Sequence, residues 1–247
     1  VSDYIRAGDN ALGIQLAEGW WSGMITFQGE NTNFFGDVQS VLAKLVLEYP
    51  DGSRGVIVTD PDTFTSSTHG PISHASLFQG QVYNANCEIS GWAEPGFNEC
   101  WPKAVEIPLS QDNAVIGTVA GVLSSQEFDY SQQKCLGQIG NGVKCVEKLS
   151  ALTVSNPRKG VYVYDFGQNI AGIPEIHFSA GHKGTKVTMR YAEVLYPELP
   201  EYEQHRGMIM VENLRATLAT DEVILGSDAF CFAPQFTFHG FRYMEIT

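Results

Sequence analysis

The stretch GVYVYDFGQNIAG, residues 160–172, decides the fold. Val161, Val163 and Asp165 fall on one face of an extended chain, with Tyr162 and Tyr164 on the other, a period of two rather than 3.6. β-Branched and aromatic residues at that period specify a strand. Asp165-Phe166-Gly167 has the spelling of the metal-binding tripeptide of protein kinases. That chemistry also needs a glycine-rich phosphate loop, a strand lysine and a His-Arg-Asp catalytic loop, and the sequence contains none of them. The stretch therefore reads as a strand whose end is crowded by Asp165, Gln168 and Asn169. Asp and Asn suit such places because their side chains bond the backbone two residues on and shape a turn.

The same period recurs along the chain. In SVLAKLVLEY (40–49), Val41, Ala43, Leu45, Leu47 and Tyr49 share a face, and Lys44 and Glu48 take the other. The turn sequence PDGS (50–53) and then GVIVTD (55–60) complete a predicted hairpin. TKVTMRYAEVL (185–195), DEVILG (221–226) and QFTFHGFRYMEI (235–246) add strands, and Gly240 predicts a bulge in the last. VENLRATLATDE (211–222) is the best short helical candidate. Turn clusters at 70–73, 93–98, 137–142, 155–160 and 180–184 separate these runs, a spacing that predicts sandwiches. The expected fold is all-β, with two β-sandwich domains and little helix. The division is placed at 1–115 and 116–247, near the start of the irregular stretch 109–150.

Bulk properties narrow the function. The 247 residues are 43% hydrophobic and 17% charged, a globular composition. No apolar run approaches the ~20 residues of a membrane helix. The net charge of −13 opposes binding to nucleic acid or to an anionic membrane surface, and leaves a neutral partner such as a sugar unopposed. VSDYIRAGDN (1–10) lacks a basic-then-apolar signal pattern, so the expectation is a removed leader or a piece of something longer. Of five cysteines, Cys87 and Cys100 bracket one loop, Cys135 and Cys145 another, and Cys231 stands alone and is expected to be buried. Two short-loop disulfides, implying an oxidising compartment, are the preferred reading; five reduced, mostly buried thiols are the alternative. No C-x-x-C occurs, and His177, His182, His205 and His239 show no H-x-H or H-E-x-x-H spacing, which argues against zinc. There is no N-x-[ST] acceptor for glycosylation and no G-x-S-x-G elbow for a serine nucleophile.

Four downstream motifs, YVYDFGQNIAG (162–172), RYAEVL (190–195), VENLRAT with TDEVIL (211–225) and PQFTFHGFRYMEIT (234–247), resemble in order and spacing the α-L-rhamnosidases of glycoside hydrolase family 78. Upstream, GDNALGIQLAEGWW (8–21), the FGD and LAKLVLEYPDGS segments (35–53) and GWAEPGF (91–97) are similar to the module that precedes them in those enzymes. The resemblance implies a jelly-roll followed, from about Leu149, by a concanavalin-like sandwich. It also implies a parent enzyme that removes terminal α-L-rhamnose, a catalytic (α/α)6 barrel beyond Thr247 against which these sandwiches pack, and secretion. It further implies a jelly-roll short of its first strands. One departure stands out: where the family carries an acidic stretch, QGQVYNA (79–85) has the amides Gln79, Gln81 and Asn84.

The candidate sites follow. Asp9 and Asn10, in a loop, offer oxygens to Ca²⁺ and to vicinal sugar hydroxyls; by resemblance a rhamnose-binding module uses such a pair, while turn geometry alone is the other reading. Trp20 and Trp21 are candidate platforms for the apolar face of a pyranose; as strand neighbours they are expected on opposite faces, one of them packed. Trp92 and Trp101, flanking the EPGF turn, are expected to be structural. Asp165, Glu193 and Asp221 are expected in ion pairs with Arg190, Arg215 or Arg242 rather than in glycoside hydrolysis, so no catalytic residue is expected here. The partners expected are a rhamnose-containing glycan and the remainder of the parent enzyme. The alternative is a stand-alone, calcium-assisted carbohydrate-binding protein.

Overall fold

The computed structural model describes residues 1–27, 31–107, 134, 136–137, 139–140 and 142–247. The expected division between residues 115 and 116, and Cys135, lie outside the described residues.

Eleven strands are described: β1 (Lys44–Glu48), β2 (Arg54–Val58), β3 (Ile72–Ser76), β4 (Gly80–Asn84), β5 (Thr153–Arg158), β6 (Val161–Gly172), β7 (Ile176–Phe178), β8 (Lys186–Ala192), β9 (Thr220–Ile224), β10 (Phe230–Phe232) and β11 (His239–Ile246). Helix among the described residues is confined to short 3-10 segments, at Ser2–Tyr4, Ala85–Cys87, Pro200–His205 and Glu212–Leu214. The expected all-β fold is present. The helical candidate at 211–222 is corrected: it is one 3-10 turn, followed by β9. Val223 is fully buried and Asp221 also points inward, so period-two burial overrides the weak helical pattern.

Seven strands form one sheet in the order β3-β4-β9-β8-β11-β6-β5. Its pairs are antiparallel except β4 with β9, which is parallel. The β3–β4 hairpin, from the first half of the chain, thus extends a sheet built by the second half. Gly80 marks the crossing. Its φ is +107°, and a Cβ there would lie 1.9 Å from the Thr220 carbonyl oxygen, so only glycine lets β4 approach β9. β1 and β2 form the predicted hairpin, with Leu45 and Leu47 half-buried on one face.

One face of the large sheet carries Met189, Tyr191, Val223, Phe241 and Met244. The two-stranded β7–β10 ribbon packs Ile176, Phe178, Phe230 and Phe232 onto this face. Aromatic contacts knit the layers: the Tyr83 ring centroid lies 5.8 Å from that of Phe230 and 5.7 Å from that of Phe232. The opposite face holds Val163 and Ala192 beneath Ile209, Leu195 and Val211. Side-chain alternation on β6, β8 and β11 supplies both cores.

The expected bulge at Gly240 is corrected. Gly240 pairs regularly with Ala171, and the irregularity lies one step on. Phe241 pairs with Ile170 and Tyr243 with Asp165, so Phe166, Gly167, Gln168 and Asn169 of β6 lie opposite Arg242 alone. The extra residues belong to the DFGQN stretch. Gly167 takes φ +80°, its N–H donates to Asp165 Oδ1 at 2.7 Å, and a Cβ on it would lie 2.3 Å from Leu152 Cδ1. Asp165 is the turn former that its place in the sequence predicts.

The disulfide reading is corrected too. Cys87, Cys100, Cys145 and Cys231 are free and exposed. Cys231 sits on the outer face of β10, between the inward Phe230 and Phe232, so alternation puts its thiol in solvent.

Candidate functional site

The Asp9-Asn10 loop is a tight turn. Asn10 Oδ1 accepts from the Arg6 N–H at 3.0 Å, and its Nδ2 donates to the carbonyls of Arg6 at 2.8 Å and Gly8 at 2.9 Å. Gly8, at φ +94°, lets the chain reverse. Asn10 is committed to that turn, and Asp9 is exposed with no hydrogen bond to any described residue. The loop offers a cation the Asp9 carboxylate and one remaining lone pair of Asn10. Calcium takes six to eight oxygens, so carbonyls and water would make up the shell. The Asp60 carboxylate is occupied locally: it accepts from the N–H groups of Asp62 and Thr63, both at 2.8 Å, and from the Thr63 hydroxyl.

Trp20 and Trp21 lie in a turn, not a strand, so the expected opposition of faces is corrected. Both are about half exposed. Trp21 is the better held: it stacks on Phe35, lies against the Gly36 backbone, and donates from Nε1 to the Val38 carbonyl at 3.1 Å. Trp20 makes one edge contact with Phe78, centroids 5.3 Å apart, and is the freer platform. Trp92 packs on Gly13, as a structural residue does.

A groove that the sequence reading did not isolate lies beside Trp101. It has a volume of about 340 Å³ and is lined by His69, Ile89, Glu99, Trp101 and Pro102, among others. Trp101 sets its edge against Phe97, centroids 5.0 Å apart, and turns Nε1 toward Glu99 Oε2 at 3.4 Å. An aromatic wall with a carboxylate and an imidazole beside it suits a small hydroxylated ligand. His69 and Trp101 are far apart in sequence; the Thr65–Lys103 bridge brings their segments together, and no local pattern announces it.

The three tempting carboxylates are all engaged. Arg242 clamps Asp165 through two hydrogen bonds, of 2.8 and 2.9 Å, and holds its carboxyl below the usual range. That ion pair matches the expectation; the other two do not. Glu193 accepts from Asn169 Nδ2 at 2.9 Å. Asp221 is fully buried and accepts from the Gln81 N–H at 2.8 Å, from the Tyr191 hydroxyl at 2.7 Å and from His239 Nε2 at 3.2 Å. Arg190 pairs instead with buried Glu245, and Arg215 covers the Phe27 ring. Burial first, then the Asp221 charge and hydrogen bond, push the Tyr191 hydroxyl far up and keep it neutral. The amides that replace carboxylates are structural here: Gln81 Oε1 accepts from the N–H groups of Gln235 and Phe236, Gln79 Oε1 accepts from that of Leu218, and Asn84 caps the Ala85–Cys87 turn.

The fold and these surfaces define an all-β protein of stacked sheets with exposed aromatic platforms. Residues 1–123 match the α-L-rhamnosidase N-terminal domain, and residues 155–247 match the bacterial α-L-rhamnosidase concanavalin-like domain. The chain belongs to the α-L-rhamnosidase family. It is 36% identical over its whole length to an α-L-rhamnosidase of Streptomyces avermitilis, of which it covers 21%. The crystal structure of Streptomyces avermitilis α-L-rhamnosidase complexed with L-rhamnose is similar at a TM-score of 0.72 and 32% identity, over 93% of this chain and 19% of that one. Native α-L-rhamnosidase from Aspergillus terreus is similar at a TM-score of 0.73 and 28% identity, over 93% and 23% of the two chains. The chain thus spans about a fifth of the length of these relatives, and corresponds to their accessory β-domains. No helix among the described residues is long and apolar enough to cross a membrane.

Proposed function

We infer that the chain is a non-catalytic accessory region of a secreted α-L-rhamnosidase, which packs against the enzyme's (α/α)6 barrel and holds rhamnose-containing glycans near it. The observation that carries this reading is the commitment of Asp165, Glu193 and Asp221 to partners within the sheet. Glycoside hydrolysis needs two carboxyl groups about 5–9.5 Å apart across an accessible bond. A clamped Asp165 and a fully buried Asp221 do not supply them. The L-rhamnose bound to a similar rhamnosidase supports the choice of sugar.

Calcium-assisted binding as a stand-alone module is the second reading, favoured by the exposed Asp9 carboxylate. One set of measurements separates the possibilities. The purified chain is expected to release no aglycone from an aryl α-L-rhamnoside; turnover by it overturns the non-catalytic reading. Calorimetric titration with L-rhamnose is run with calcium and with a chelator. Binding that needs calcium and is lost in Asp9→Ala favours the stand-alone module. Calcium-independent binding lost in Trp20→Ala or Trp101→Ala identifies an aromatic platform of the accessory region.

A further inference from the structure

The two faces of the β7–β10 ribbon have different chemistry. Ile176, Phe178, Phe230 and Phe232 enter the core. The residues between them, His177 and Cys231, are exposed and stand directly opposite each other in the strand register. Directly opposed residues hold their Cβ atoms about 5 Å apart, so the imidazole and thiol meet. Glu175, just before β7, adds a carboxylate on the same side. His177 Nε2 lies 4.0 Å from Cys231 Sγ and 3.6 Å from Glu175 Oε1, and the three ligand atoms fall within 4.8 Å of one another. Zinc bonds of ~2.0–2.3 Å at tetrahedral angles put a nitrogen and a sulfur ligand ~3.5 Å apart, and a nitrogen and an oxygen ligand ~3.4 Å apart. The observed spacings need only small rotations of exposed side chains to match.

Lys148 adds the orienting contact. Its ammonium donates to Glu175 Oε2 at 2.7 Å, which leaves Oε1 turned toward His177. Such outer partners fix the ligand carboxylates of metal sites.

We propose that Glu175, His177 and Cys231 form a surface site for a zinc-class divalent cation, with three protein ligands and one open position. One thiolate, one imidazole and one carboxylate select such an ion over calcium or magnesium, which take all-oxygen shells. Sequence spacing gives no sign of it, because His177 and Cys231 lie 54 positions apart in the chain and only the strand register joins them.

The test uses the reduced, metal-free chain and Co²⁺ as a spectroscopic probe. One equivalent is expected to give a thiolate-to-cobalt charge-transfer band that Zn²⁺ displaces. Cys231→Ser is expected to abolish the band, and His177→Ala to weaken Co²⁺ binding at least about tenfold. Replacing Cys87, Cys100, Cys135 and Cys145 together by serine is expected to leave the band. All three ligands are exposed, so far-UV circular dichroism of the single variants is expected to match that of the parent. No band in the parent, a band that survives in Cys231→Ser, or one lost when the other cysteines are replaced overturns the site.

Discussion

Asp221 is the residue on which the most contacts turn. It sits at the crossing of β4, β8, β9 and β11, and its two oxygens hold a backbone N–H, a phenol and an imidazole out of reach of water. Tyr191 and His239 stack with centroids 4.0 Å apart, so their polar tips converge on one carboxyl. A buried carboxyl costs free energy unless its lone pairs are filled, and here they are. Asp221→Ala strands all three donors and is expected to destabilise the chain by about 3–5 kcal/mol. Tyr191→Phe, which removes one buried bond to a charged group, is expected to cost about 1.5–3 kcal/mol. Urea denaturation read by tryptophan fluorescence measures both. Equal, small losses would show that the network contributes little.

At the scale of elements, the sheet's β3 edge is the point of interest. An uncovered edge invites pairing with another chain. The N-terminal segment closes this one: Glu18 Oε2 accepts from the Ala75 N–H at 3.0 Å, and Oε1 lies 3.6 Å from His74 Nδ1. Burial works to raise the Glu18 pKa, but the His74 contact and backbone N–H groups outweigh it and bring it below 4.5. His74 is raised above 6.5 by Glu18. A depressed acid stabilises the fold above its unfolded value and loses that contribution as pH falls through its folded one. A raised histidine stabilises below its unfolded value and loses that contribution as pH rises through its folded one. The tether is therefore strongest between about pH 4.5 and 6.5. Hydrogen exchange at Ala75, corrected for the intrinsic pH dependence, is expected to show greatest protection in that window. His74→Ala is expected to remove the alkaline limb and keep the acid one. Protection that is flat across pH in the parent would show that the segment is held by other contacts.

At the scale of the molecule, the two-stranded β1–β2 ribbon leaves three valines exposed on the face that also carries Lys44, Glu48 and Arg54. Val46, Val56 and Val58 point the same way and are 45%, 55% and 45% exposed. Exposed apolar side chains on a ribbon favour association. The 247-residue chain on its own is expected to self-associate with rising concentration in sedimentation velocity. Val56→Lys with Val58→Lys is expected to shift the population toward monomer with unchanged far-UV circular dichroism. A chain that stays monomeric at high concentration would show that this face is tolerated by itself.

The all-β class, the 44–58 hairpin and the first half of β6, up to Phe166, are legible in the sequence, because period-two alternation is local: it records which side of a pleat each residue faces. Asp165 as a turn former is legible for the same reason, since its bond to the Gly167 N–H spans two residues. Partner identities are not. Asp165 meets Arg242, Glu245 meets Arg190, and Asp221 meets Tyr191 and His239 across strands whose order no local pattern encodes. The DFGQN bulge, the Trp101 groove and the Glu175–His177–Cys231 cluster likewise depend on register and on which strands become neighbours. Alternation sets the face of each residue, and only tertiary pairing decides what that face meets.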